Sequence, residues 1–138
     1  MNLYIYVVTP FLTWLVAGVF KFLINSIKEG RFALDLIGYG GLPSNHSAIV
    51  SSMATLIGLK EGINTPAFGV AITLGFIVIL DASSLRRQVG KQAAAINQLN
   101  SANIEKPIIL RERMGHTRIE ITAGIAVGIA VAFGVAFL

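Results

Sequence analysis

The chain has 138 residues, of which 54% are hydrophobic and 13% are charged, and its mean hydropathy is +0.73. Soluble domains carry about 25% charged residues, so this composition excludes a disordered tail and most soluble enzymes, and it indicates a membrane protein. The chain has no cysteine, which excludes disulfides and a cysteine nucleophile, and its net charge of +4 points to anionic partners.

Four apolar stretches follow one another along the chain, at residues 3–20, 46–59, 66–80 and 119–138. The first and last are long enough to cross the hydrocarbon layer of a bilayer, whereas the middle two are shorter. The first lacks the basic start and small-residue cleavage site of a signal peptide, so we expect a retained helix. The predicted fold is an all-α integral membrane bundle with about four transmembrane helices in a single domain, 1–138.

An amphipathic helical segment is predicted between the third and fourth stretches. Its apolar residues recur at helical spacing, and they are Ala82, Leu85, Val89, Ala93, Ile96 and Leu99. This segment either extends the third helix into the cytoplasm or lies along the membrane interface. Residues 101–115 are polar and contain Pro107, which predicts mostly a loop.

The cations fall on one side of this four-span arrangement, since only Lys60 lies in the connection between the second and third stretches. By the positive-inside rule that side is cytoplasmic, in a multi-pass protein of the cell inner (plasma) membrane. Gly124 and Gly128 in the last stretch allow close approach of another helix. The Gly/Ala-rich faces and the short second stretch also favour burial against a neighbouring helix, so a homodimer is a hypothesis.

The two histidines lie where apolar stretches meet the basic side. His46 stands in a Gly-Gly-Leu-Pro-Ser-Asn-His-Ser segment, where Ser44 or Asn45 is a natural helix N-cap. Free amides at such a helix start favour a phosphate, and His46 in the first turn is placed to protonate a leaving oxygen. A lone histidine more often caps a helix, but a pair at matching depth favours function.

His116 and Glu120 are four residues apart, so on a helix they would share one face. A carboxylate bonded to one ring nitrogen leaves the other free as a nucleophile or base. The alternative is a surface pair, although a carboxylate entering an apolar span is costly. Asp81 invites the same argument, and pairing with Arg86 or Arg87 is its simpler explanation.

Lys21, Arg31 and either Arg86 or Arg87 are candidates for an anion clamp, with Asp81, Arg87 and Lys91 as possible supporting residues. The alternative for each cation is a role in topology or in binding anionic headgroups.

Together, Pro43-Ser44-Asn45-His46, Arg86 and His116-x-x-x-Glu120 resemble the three-part signature of the type-2 phosphatidic acid phosphatase superfamily, which includes bacterial acid phosphatases and vanadium haloperoxidases. The segments around Pro43, Asp81 and His116 look like the small divergent branch of that superfamily, over nearly the whole chain. Two features depart from the usual pattern. Arg86 stands 30 positions before His116 (116 − 86) rather than a handful, and four spans replace six.

The resemblance implies that His116 attacks phosphorus, that Glu120 orients it, and that His46 protonates the leaving group. It further implies that phosphoryl oxygens are bound by side chains and amides near Lys21, Arg31, Arg86, Ser44 and Asn45, without a metal or other cofactor.

We therefore predict a lipid phosphate or diphosphate phosphohydrolase whose site faces the cytoplasmic headgroup layer. Candidate substrates are phosphatidylglycerophosphate, phosphatidic acid and polyprenyl diphosphates, and no nucleic-acid partner is expected. The main alternative is a non-catalytic membrane module that binds anionic lipid or a partner protein. A small transporter is a third possibility, with two half-buried carboxylates as its support. A haloperoxidase is disfavoured by a site at the membrane surface.

Overall fold

The computed structural model describes residues 4–32, 41–103 and 108–137, and within these ranges every regular element is helical. The helices are α1 (Tyr4–Glu29), α2 (Asn45–Lys60), α3 (Pro66–Leu80), α4 (Arg86–Asn103) and α5 (Arg118–Ala136). A π-helical turn, Asp81–Leu85, joins α3 to α4 without a break. The predicted all-α fold is confirmed.

Among the described residues, three helices are long and apolar enough to cross a membrane: α1, α5 and the continuous helix Pro66–Ser101. α2 has 16 residues, in keeping with its marginal apolar stretch. The amphipathic segment extends the third helix, because α4 continues α3 through the π-turn. α4 also runs to Asn103, into the start of the region predicted as a loop.

The short helix α2 is central, since it packs against α1, α3 and α5. Its buried residues are small apart from Leu56, and they are Ser47, Ala48 and Ser52. α5 approaches this surface through Gly124 and Gly128, as their spacing predicted. A Cβ at Gly128 would overlap the Ser51 hydroxyl and the Ala48 carbonyl. The glycine face and the short helix that suggested a dimer thus pack on each other within one chain.

The chain runs back and forth so that one end of the bundle collects four segment ends. The last turns of α1, the start of α2, the π-turn and the start of α5 all lie there. Both histidines and most cations lie at this end, while Tyr6 and Glu61 mark the other end with a hydrogen bond of 2.6 Å. Any site built from the predicted residues therefore forms at the basic end of the bundle.

Candidate functional site

His116 is held at the start of α5, with only 9% of its surface exposed. Its Nδ1 lies 3.2 Å from Oε2 of Glu120. A carboxylate accepts hydrogen bonds, so this contact places the ring hydrogen of His116 on Nδ1 and the lone pair on Nε2. The predicted contact between His116 and Glu120 is therefore confirmed.

The reason for the pairing differs from the expected one. His116 and Glu120 were expected to share a helical face, but α5 begins at Arg118, so His116 lies before the helix. Thr117 is the N-cap, its Oγ accepts from the Glu120 N–H, and Glu120 Oε2 accepts from the Thr117 N–H at 2.9 Å. This capping box aims the carboxylate at His116. The pattern Thr-x-x-Glu is typical of a capping box. The sequence analysis did not identify Thr117 as its first residue.

The backbone around His116 is anchored to the π-turn. The His116 N–H donates to the Ala82 carbonyl at 3.0 Å. The preceding Gly115 has a φ of +85°, and a Cβ there would lie 2.8 Å from Cγ of Arg87. Glycine is needed at this position both for the backbone conformation and for the close approach.

The π-turn also positions Arg86. In a π-helical turn the N–H of one residue bonds to the carbonyl five positions earlier, and here Arg86 N–H donates to the Asp81 carbonyl. The same five-residue step brings the side chains together, so Arg86 Nε donates to Asp81 Oδ2 at 2.7 Å. Asp81 therefore pairs with Arg86, the simpler of its two predicted explanations.

Arg86 reaches the second histidine, His46, which lies 40 positions earlier in the chain. Its second guanidinium nitrogen lies 3.5 Å from Nε2 of His46, in the first turn of α2. The rings of His46 and His116 have centroids 6.4 Å apart and planes inclined by 53°. Two imidazoles and a guanidinium thus border one small space at the basic end of the bundle.

Lys21 is a second cation near the two histidines. It lies in α1 and is only 5% exposed. Its ammonium group interacts electrostatically with the Glu120 carboxylate and with both histidines. A buried lysine in an apolar helix is costly and usually serves a function, and here the neighbouring carboxylate compensates its charge.

Ser44 is the helix N-cap, one of the two predicted alternatives, but its amide is engaged within the chain. It is fully buried and caps α2, its Oγ accepting from the Ser47 N–H. Its own N–H donates to the Glu120 carbonyl at 2.9 Å, so that amide is not available to a phosphate. Ser44 instead ties the start of α2 to the first turn of α5. The neighbouring Asn45 carries a buried Oδ1 without a hydrogen-bond partner among the described residues.

The remaining predicted residues lie outside this cluster. Arg31 is exposed just after α1, beside residues 33–40, which are not described. Arg87 and Lys91 lie on α4, where with Glu112 and Met114 they line a separate open cavity of about 300 Å³. Position distinguishes the two candidate arginines, because of the two Arg86 contacts a histidine and Arg87 does not.

The electrostatics favour the neutral form of the His116 imidazole. Burial lowers the pKa of the His116 imidazole below its usual 6.5, the hydrogen bond and charge of Glu120 oppose this, and Lys21 and Arg86 add to it. His116 is therefore uncharged at neutral pH, with the Nε2 lone pair available. In the part of the chain that the structure describes, no group of three or more His, Cys, Asp or Glu side chains could hold a metal ion.

Comparisons with known proteins identify the family of the chain. A family model described as "Divergent PAP2 family" matches residues 4–131. The uncharacterized membrane protein YuiD of Bacillus subtilis (strain 168) is 31% identical over 137 residues, an alignment that covers 88% of this chain and 87% of that protein. No solved structure matches the chain.

Proposed function

Because the chain belongs to the divergent PAP2 family, we propose that it is a membrane-embedded lipid phosphate phosphohydrolase acting through a phosphohistidine. The observation that carries the proposal is the oriented pair of histidines, 6.4 Å apart, with Glu120 on one and Arg86 beside the other. A nucleophile held by a carboxylate, opposite a proton donor and among cations, is what phosphoryl transfer requires.

In the first step, Nε2 of His116 attacks phosphorus and forms the N–P bond as the P–O bond to the lipid breaks. His46 in its protonated form gives a proton to the departing oxygen, so the lipid leaves as an alcohol, or as a phosphate ester from a diphosphate. Because burial and the neighbouring Arg86 lower the pKa of His46, the protonated form is the minor one at neutral pH. Glu120 stabilises the positive charge that develops on the His116 ring.

In the second step, water attacks the phosphohistidine and His46 takes the water's proton. The N–P bond breaks, inorganic phosphate leaves, and both histidines return to their starting states. Each step moves one proton and one phosphoryl group, with no net redox change.

Two cations stabilise the charge on the equatorial oxygens. Arg86 is held by Asp81 and so presents its remaining N–H groups in a fixed direction, while Lys21 acts as a point charge. Asn45 is the candidate for a further contact, because its side-chain amide nitrogen can donate to a phosphoryl oxygen. Arg31 stays a weaker candidate for the same clamp.

The position of the site supports the proposed substrate class and membrane side. The site lies at the end of the bundle where the cations concentrate, and by the positive-inside rule we propose that this end is cytoplasmic. A headgroup phosphate reaches this depth while its acyl or prenyl chains stay in the bilayer. Phosphatidylglycerophosphate, phosphatidic acid and polyprenyl diphosphates all satisfy this description.

The test is phosphate release by the purified protein in detergent, with a chelator present, from these three lipids. We expect turnover in the wild type, inhibition by vanadate, and no turnover in His116→Ala. Thr122→Val, an exposed change on α5, is the matched control and should keep full activity. An acid-labile phosphoenzyme should form in the wild type and not in His116→Ala.

His46→Ala separates the two histidine roles. With an aryl phosphate, whose leaving group needs no proton, this variant should retain a single-turnover burst that His116→Ala lacks. Absence of turnover on all lipids, with equal binding of anionic vesicles by wild type and His116→Ala, would overturn the proposal in favour of the non-catalytic binding module.

A further inference from the structure

An exposed stripe of mostly apolar side chains runs along α4 and contributes nothing to the site. Leu85, at the end of the π-turn, is 61% exposed, and along α4 Val89 is 41%, Ile96 43% and Leu99 66% exposed. With the exposed Gln92 these residues follow one another at intervals of four, three, four and three. We call these five residues the α4 stripe.

The α4 stripe lies beyond the apolar part of the long helix. α3 is almost wholly apolar, whereas α4 begins with Arg86 and Arg87 and carries further polar residues to its end. Its 18 residues extend about 27 Å past the π-turn. Apolar side chains on a helix that leaves the bilayer are not explained by contact with lipid tails.

Among the described residues, the segment before His116 contacts a different face of α4. The Asn97 side chain donates to the Leu110 carbonyl and accepts from the Leu110 N–H, both at 2.8 Å. A Cβ at Gly90 would overlap the Glu112 carbonyl, so the segment before His116 lies closely against that face. Gly90 and Asn97 lie about 100° around the helix from Val89 and Ile96, so this contact leaves the α4 stripe exposed.

The π-turn brings the α4 stripe into line with an exposed face of α3. Val70, Thr73, Ile77 and Leu80 are exposed at intervals of three, four and three. The next step, to Leu85, is five residues, and a π-turn places residues five apart on the same face. The extra residue therefore makes one straight face from α3 into α4.

We propose that the α4 stripe binds the α4 stripe of a second copy, forming a parallel two-stranded helical pair. Alternating four- and three-residue intervals are the spacing of a heptad seam, with Val89 and Ile96 at a and Leu85 and Leu99 at d. β-Branched residues at a with leucine at d favour two parallel strands. Two copies inserted the same way in one membrane present their α4 helices in parallel.

The charges beside the α4 stripe permit this pairing. The flanking positions Gln88, Ala95 and Asn100 are uncharged, and Arg86 is engaged by Asp81. Gln92, at the central d position, is the one polar residue of the α4 stripe, and it lowers the apolar area that the pairing buries. Pairing through α4 is independent of whether the chain hydrolyses lipid phosphates.

Single cysteines provide the test, because the natural chain has none. Gln92→Cys, Ile96→Cys and Leu99→Cys lie on the α4 stripe, while Lys91→Cys and Gln98→Cys are adjacent controls on another face. Oxidation in native membranes should convert the first three mainly to disulfide-linked dimers and leave the controls at background. Equal cross-linking at all five positions would overturn the pairing, as would its absence.

The rival covering is the lipid headgroup layer. If α4 lay on the membrane, the three stripe cysteines would be shielded from a water-soluble thiol reagent and would not cross-link, which would also overturn the pairing. As a second measurement, Val89→Asp with Ile96→Asp should shift the mass in mild detergent from two chains to one. The helical circular dichroism signal should stay unchanged, which separates loss of pairing from loss of folding.

Discussion

Where α5 crosses α2, glycines let two backbones come together, whereas α3 and α4 keep most of their side chains exposed. Gly124 lies against the Ser44 carbonyl and Gly128 against Ala48. In the long helix, α3 buries only Ala71 and meets the rest of the bundle mainly through α2. The first region fixes distances within the chain, and the second presents surface to its surroundings.

This difference separates the tasks of the two regions. The α2–α5 contact sets the spacing of His46 and His116, because one residue stands at the start of α2 and the other just before α5. The long helix contributes Arg86 through a local change of helical geometry, the π-turn. Substitutions in the first region should thus abolish the proposed site as a whole, and those in the second should weaken single contacts.

The largest effect is expected at the glycine contact. Gly128→Leu would push α5 away from α2, because its Cβ alone overlaps Ser51 and Ala48, and overpacking of this kind costs about 1–3 kcal/mol or more. We expect a lowered melting temperature and loss of lipid phosphatase activity. Gly134→Leu, on the same helix with no atom within 4 Å of its Cβ, is the control. Equal stability of the two variants would contradict the close contact.

Glu120→Gln tests orientation without disturbing the fold. Glutamine also serves at this position of a capping box, so the melting temperature should hold. The ring of His116 loses its negative partner, and kcat should fall about 100-fold, the scale of a general acid–base contribution, with little change in KM. A variant with the kcat of the wild type would remove Glu120 from the mechanism.

Asp81→Asn should have a smaller effect, on binding. Without its carboxylate partner Arg86 is free to turn away, and KM for the lipid phosphate should rise about tenfold, as for loss of one charge-assisted contact. Glu112→Gln is the control, because that carboxylate bonds to Asn97 away from the histidines. A change in kcat alone would indicate that Asp81 acts otherwise.

The smallest effect is a shift in one titration. With two histidines in the chain, labelled imidazoles give two signals, and His46→Ala assigns them. The pKa of His116 should lie below 6.5 and fall further in Glu120→Gln, since Glu120 raises it. Because the folded-state pKa is depressed, the free energy of unfolding should decrease as the pH falls below 6.5. A midpoint above 6.5 would contradict the burial of His116.

Local signals were enough to predict most of the helices. Long apolar runs marked α1 and α5, and Ser44 announced the start of α2 because a cap depends on its own neighbours. The amphipathic period predicted α4. The central position of α2 could not be predicted from its composition. Small residues such as Ser47 and Ala48 occur on buried and exposed helices alike, and only the helices packed on them show that they are buried.

The site was predictable by residue type more than by geometry. The two histidines, Lys21 and Glu120 stood out because each is costly near a membrane. The contact of Arg86 with His46 depends on the π-turn, for which the sequence offers no periodic signal. Only that turn distinguishes Arg86 from its neighbour Arg87.

The capping box at the start of α5 couples local opening of that helix to the orientation of His116. Glu120 Oε2 receives both the Thr117 amide and the His116 ring, so fraying of one helical turn and release of the nucleophile are a single event. Solvent exchange of the Thr117 amide hydrogen consequently reports the fraction of molecules that are momentarily disassembled. The exchange rate of this one amide hydrogen therefore measures, without any substrate, how often the contact between Glu120 and His116 opens.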